Sequence, residues 1–131
     1  MEKIRVLFIQ EKKIKNKAKQ LLLGDVIESQ DPGTYEFDYI GIKENITAKL
    51  EQFQPQIIYI SMSKKFDLFE MVRKTKERCP QSVLFTLLPD DAKDQQEMTL
   101  RLKEAGVYKC YYTTLVVNTL VHDMYVALNM E

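Results

Sequence analysis

Tryptophan is absent from this chain of 131 residues, and histidine occurs once, as His122. With no second histidine and no suitably spaced cysteine to join it, a histidine-based metal site is excluded. His122 stands next to Asp123 in an amphipathic segment and reads as a surface or internally satisfied side chain, not as a base. Cysteine is scarce too. Cys79 and Cys110 are far apart and in no metal-like spacing, and in a chain read as cytosolic they are expected to be two buried, reduced thiols and not a disulfide. Glycine and proline number four each, too few for a collagen-like or low-complexity chain.

Neither sign of charge is in excess, since 19 Lys and Arg balance 19 Asp and Glu. That balance leaves no electrostatic footprint for nucleic acid, and no acidic tail is present. The one charge run, Lys12, Lys13, Lys15, Lys17 and Lys19, reads as the solvated face of a helix. No apolar run approaches the ~20 residues of a membrane span, and no apolar segment leads to a small-residue cleavage site. A cytoplasmic location without membrane binding is the expectation. Glycine-rich phosphate loops are missing as well. The first apolar segment runs into Gln10, Glu11, Lys12 and Lys13, which excludes a nucleotide or flavin phosphate site of the usual kind. Ser61 and Ser63 have no base partner in the sequence, which argues against a nucleophilic serine. No cofactor, no metal and no enzymatic activity are expected.

What is present is a folded-protein composition, with 45% hydrophobic and 29% charged residues, in a length that suits one domain over residues 1–131. Five short apolar segments, at 5–9, 35–42, 56–61, 82–88 and 107–112, are rich in β-branched and aromatic residues and predict strands. The first, third and fourth are almost continuously apolar, as parallel strands covered on both faces are. Between them runs helical periodicity. Ile14, Ala18, Leu21 and Leu22 mark one helix; Ile46, Leu50 and Phe53 mark a second. Phe69, Val72 and Cys79 mark a third, and Met98, Leu102 and Ala105 a fourth. Val117, Leu120, Val121, Met124 and Leu128 mark a fifth. Gly24 and Gly106 read as helix stops, and Pro80 closes the third helix. Residues 26–34, with Asp31, Pro32 and Gly33, read as the longest loop. Asp67 reads as a helix start, and Asp90 and Asp91 as a turn and N-cap. Five alternating strand–helix units predict an α/β fold, a doubly wound five-stranded parallel sheet with helices on both faces.

In such sheets ligands bind beyond the carboxyl ends of the strands. Those ends carry Gln10 and Glu11, then Gly41 and Lys43, Ser61 and Ser63, Thr86 to Leu88, and Thr113 and Thr114. The run Val6-Leu7-Phe8-Ile9-Gln10-Glu11 resembles the first strand of response-regulator receiver domains of the CheY-like kind. Pro55-Gln56-Ile57-Ile58-Tyr59-Ile60-Ser61 is similar to their third strand, and Glu104-Ala105-Gly106-Val107 to the approach to their fifth. The resemblance covers nearly the whole chain and implies a flavodoxin-like fold of strand order 2-1-3-4-5.

The site residues depart from that family. Ser61 stands where the resemblance puts the phosphoacceptor aspartate, and Gln10 replaces the first acid of the metal pocket, leaving Glu11. Thr113 replaces the phosphate-pairing lysine, and the switch hydroxyl falls at Leu87, or at Thr86 if the alignment slips by one. The proline and glycine after the third strand are replaced by Lys65 and Phe69. A serine hydroxyl cannot form an acyl phosphate, and one Glu is a poor Mg²⁺ site. The reading is a degenerate, phosphorylation-independent pseudo-receiver that works as a signalling, regulatory or targeting module in two-component-like systems of bacteria. It binds a protein partner, or a second copy, through the fourth helix, fifth strand and fifth helix. That face is expected to include Leu100, Tyr108, Tyr111, Val116, Tyr125 and Val126, with Met130 adding to it. By resemblance such domains occur alone and as N-terminal parts of transcription regulators or of MinD/ParA-like pilus-assembly ATPases. Two alternatives stay open. One is a sensor holding a small neutral molecule over Gln10, Ser61 and Thr113. The other is a working receiver with misaligned motifs, whose nearest carboxylate would be Asp67.

Overall fold

The computed structural model describes residues 2–11, 23–89, 91–112 and 117–129. Its elements are β1 (Ile4–Gln10), α1 (Leu23–Gln30), β2 (Tyr35–Gly41), α2 (Ile46–Phe53), β3 (Ile57–Ser61), α3 (Leu68–Arg78), β4 (Val83–Leu88), α4 (Gln95–Glu104), β5 (Val107–Tyr112) and α5 (Val117–Asn129). The strands form one parallel sheet in the order β2-β1-β3-β4-β5, as expected. Burial follows from that order. In the inner strands β1 and β3, Val6–Ile9 and Ile57–Ile60 are all buried, because helices cover both faces.

Alternate residues divide the core in two. Leu7, Ile9, Ile58, Ile60, Leu84 and Leu88 pack with Leu50 of α2, Leu68 and Val72 of α3 and Leu102 of α4. Val6, Phe8, Tyr59, Phe85 and Tyr111 pack on the other face with Ile27 of α1 and Leu120 and Met124 of α5. The second face is paved with rings. Tyr39, Phe8, Tyr59, Phe85 and Tyr111 stack in turn, with centroids 4.7, 5.1, 5.0 and 5.8 Å apart.

Several expectations need correction. Gly24 does not end a helix; it lies buried in the first turn of α1 as described. A Cβ at Gly24 would stand 2.3 Å from the Tyr39 hydroxyl, and the Gly24 N–H donates to that hydroxyl at 2.9 Å. Close approach, not helix termination, requires this glycine. The helix runs to Gln30, so the loop expected over 26–34 shrinks to the turn 31–34. The residues Ile14 to Leu22, on which the first helix was read, lie outside the described residues, as does the lysine run. The N-cap of α4 is Asp94, not Asp90 or Asp91. Asp90 lies outside the described residues, and Asp91 sits in the turn that Ala92 N–H closes on Pro89 O. Phe69 lies in α3, as its place in the third helical stripe predicts, so the position matched to the family's loop glycine is helical here. Cys79 and Cys110 are free thiols but half-buried. Asp67 does start α3, accepting from the N–H groups of Phe69 and Glu70, and Gly106 does follow α4, at φ +114°.

Candidate functional site

Strand order reverses between β1 and β3, so the carboxyl ends of these two strands flank the crevice where a doubly wound sheet offers a site. From β1 come Gln10, half-buried, and Glu11, exposed. From β3 come half-buried Ser61 and then Met62, which is 38% exposed. Ser61 pairs with Leu87, while Thr86 pairs with Ile60 and is fully buried. Leu87 therefore stands beside Ser61, and the chain extends the pairing through Met62 N–H to Leu87 O at 2.8 Å. Thr113 lies outside the described residues.

The loops after β1 and β3 touch directly. Ser63 Oγ donates to Glu11 Oε2 at 3.1 Å and accepts from Lys65 N–H at 3.0 Å. At the end of β2, Gly41 N–H donates to Glu44 Oε2 at 2.9 Å, and Ile42 N–H donates to Gln10 O at 3.1 Å. Glu11 is thus a hydrogen-bond acceptor for Ser63.

A receiver-type pocket would hold Mg²⁺, which takes hard oxygen ligands in octahedral geometry, with carboxylates supplying charge. Among the described residues no three His, Cys, Asp or Glu side chains come together as a metal-holding group. One exposed carboxylate, already engaged by Ser63, with an amide and a hydroxyl beside it does not fit that ion. Ser61 offers a hydroxyl where formation of an acyl phosphate needs a carboxylate.

The expected partner face is resolved in part. Leu100 on α4 is 63% exposed, and Tyr108 on β5, Tyr125 and Val126 on α5 are 37%, 40% and 36% exposed. Tyr111 does not belong with them. Its ring is buried against Phe85, and its hydroxyl donates to Asp123 Oδ2 at 2.5 Å. Lys109 Nζ reaches the same oxygen at 2.9 Å. Burial raises the Asp123 carboxyl, but the Tyr111 and Lys109 hydrogen bonds outweigh it, so the group sits below the usual carboxylate range. Tyr125 is exposed yet tied, since its hydroxyl donates to Asp31 Oδ2 at 2.6 Å across to the α1–β2 turn. Val116 and Met130 lie outside the described residues. Sequence reading missed the Tyr111–Asp123 and Tyr125–Asp31 pairs. The one available signal was an acid, Asp123, flanking the apolar stripe of α5. No helix among the described residues is long and apolar enough to cross a membrane.

No family model matches the sequence, and no curated protein matches it. Solved structures do match over the whole length. The signal receiver domain of a DNA-binding response regulator from Colwellia psychrerythraea 34H superposes with a TM-score of 0.73 at 15% identity, over 98% of this chain and 99% of that one. An orphan response regulator of H. pylori gives 0.70 at 18% identity, over 96% and 97%. A CheY-like response-regulator receiver domain from Methanospirillum hungatei JF-1 gives 0.72 at 14% identity, over 98% and 96%. The fold of this chain is that of response-regulator receiver domains.

Proposed function

We propose that this domain is a phosphorylation-independent pseudo-receiver, a signalling or regulatory module that binds a protein partner rather than an enzyme. The observation that carries the reading is the pairing at the switch point. Ser61 ends β3 beside Leu87, and the single carboxylate at the end of β1, Glu11, is engaged by Ser63. A receiver's chemistry needs an acceptor carboxylate and a metal pocket, and neither a hydroxyl nor one exposed Glu supplies them. The fold shared with receivers of DNA-binding regulators and with an orphan regulator supports a signalling role. The exposed Leu100, Tyr108 and Val126, on three successive elements at the β5 edge of the sheet, support a protein partner or a second copy as the ligand. The cell interior is the compartment this reading implies.

The test is backbone amide NMR of the protein with Mg²⁺ and beryllofluoride, a phosphate mimic. The expected result is no saturable shift at Glu11, Ser61 or Leu87. Saturable, Mg²⁺-dependent shifts of those amides would show a working phosphate pocket and overturn the proposal.

A further inference from the structure

β2 ends the sheet, so one side of its backbone has no neighbouring strand in this fold. The ladder to β1 shows which groups lie on that side. Ile4 N–H donates to Thr34 O at 3.0 Å, and Ile42 N–H donates to Gln10 O at 3.1 Å. Successive residues of a strand turn their N–H and C=O groups to alternate sides. Glu36, Asp38 and Ile40 therefore face β1, while Tyr35, Phe37, Tyr39 and Gly41 point their backbone groups outward. A row of this kind is a template for a further strand. The aromatic and β-branched residues of β2 suit such an addition.

The carboxyl half of the row is closed by the chain's own side chains. Tyr39 N–H donates to Asp38 Oδ1 at 2.8 Å, and the other oxygen of that carboxylate is held by Lys49 Nζ of α2 at 2.6 Å. Gly41 N–H donates to Glu44 Oε2 at 2.9 Å, and Glu44 N–H donates back to Gly41 O at 3.0 Å. Glu44 thus takes both outward groups of Gly41. Neither contact belongs to the β1 ladder.

The placement identifies what is kept out. An antiparallel join of two β2 strands that uses all four outward residues sets Tyr35 against Gly41 of the second copy, and Phe37 against Tyr39 of the second copy. Every pair in that join includes Tyr39 or Gly41, so closing these two residues blocks all of them. A strand from another protein can pair at Tyr35 and Phe37 alone. We propose that Asp38 and Glu44 are a lock on the β2 edge, and that the strand they exclude is β2 of a second copy of this chain. With the lock open, two domains join edge to edge as one continuous sheet. The lock lies on the edge opposite β5, so it depends neither on the partner face proposed above nor on whether the Ser61 pocket takes phosphate.

Asp38→Ala combined with Glu44→Ala opens both positions. Sedimentation of the intact chain over a concentration series, with backbone amide NMR on the same samples, reads the result. The double variant is expected to move toward dimer as concentration rises, with concentration-dependent shifts at the amides of Tyr35–Gly41 that reverse on dilution. The unchanged chain shows no such shifts at β2. Asp38→Asn combined with Glu44→Gln keeps an acceptor oxygen at each position and is expected to behave as the unchanged chain. Hydrogen exchange in dilute samples of the single variants needs no association. The Tyr39 amide in Asp38→Ala and the Gly41 amide in Glu44→Ala are each expected to exchange roughly fivefold faster, the size of one net hydrogen bond. A double alanine variant that stays monomeric, association whose shifts lie outside β2, equal association of the Asn and Gln variant, or unchanged exchange at both amides would overturn the proposal.

Discussion

At the scale of residues, Asp123 shows how a charge is kept in a mostly apolar setting. Its side chain is 12% exposed and is held by the Tyr111 hydroxyl and the Lys109 ammonium. Burial and the neighbouring carboxylate both raise the Tyr111 hydroxyl, which keeps it a donor at any ordinary pH. Because the folded-state pKa of Asp123 lies below its unfolded value, the stability it contributes is full above the unfolded pKa and is lost as pH falls through the folded one. Tyr111→Phe is therefore expected to cost about 1.5–3 kcal/mol near pH 7, the worth of a hydrogen bond to a charged group. The cost shrinks as the carboxyl is protonated below about pH 4. Urea denaturation of both proteins across that range measures it. A cost independent of pH would mean that the Tyr111 hydroxyl contributes nothing through the carboxylate.

At the scale of elements, the helices differ in what begins them. Asp67 satisfies two N–H groups of α3 from one carboxylate oxygen, at 3.0 and 3.3 Å. Along the same helix Arg73 pairs with Glu70 and with Glu77, but all three side chains are largely exposed. Solvent screens such pairs, whereas the cap satisfies donors that the helix geometry leaves unpaired. Asp67→Ala is expected to destabilise the domain by about 1 kcal/mol, while Arg73→Ala leaves the thermal midpoint within error. A larger effect from Arg73→Ala would reverse that ranking. α1 teaches a different lesson. A glycine near the end of an amphipathic run resembles a stop signal in sequence, and only the Tyr39 hydroxyl on a strand 15 residues away shows why the position has no side chain.

At the scale of the molecule, the stacked rings of Tyr39, Phe8, Tyr59, Phe85 and Tyr111 tie all five strands together on the α1–α5 face. Offset aromatic pairs add to the area they bury, so this face behaves as one unit. Tyr59, at the centre, is fully buried, and its hydroxyl has no hydrogen-bond partner. Tyr59→Phe keeps the stack and removes the uncompensated hydroxyl, so it is expected to stabilise the fold by about 1 kcal/mol. Calorimetry of the two proteins checks this, and a lower midpoint for the variant would show that the hydroxyl is satisfied in solution.

The sequence by itself determined the alternation of strands and helices, because periods of two and of 3.6 residues are local and survive in any context. It also determined that the inner strands are covered on both faces, since Val6–Ile9 and Ile57–Ile60 leave no polar side to expose. With the strands placed, Gln10, Glu11 and Ser61 at their carboxyl ends were readable as well. Tertiary structure alone decided which groups meet. Ser63 finds Glu11 across 52 positions and Tyr125 finds Asp31 across 94, and no local pattern encodes such pairs. It also decided that Leu87 and not Thr86 stands beside Ser61, and that Tyr111 faces inward while Tyr108 stays exposed. The physical reason is that side-chain pairing depends on strand register and on where each helix is set down. Both are fixed by the packing of the whole core, and neither is carried by any one segment.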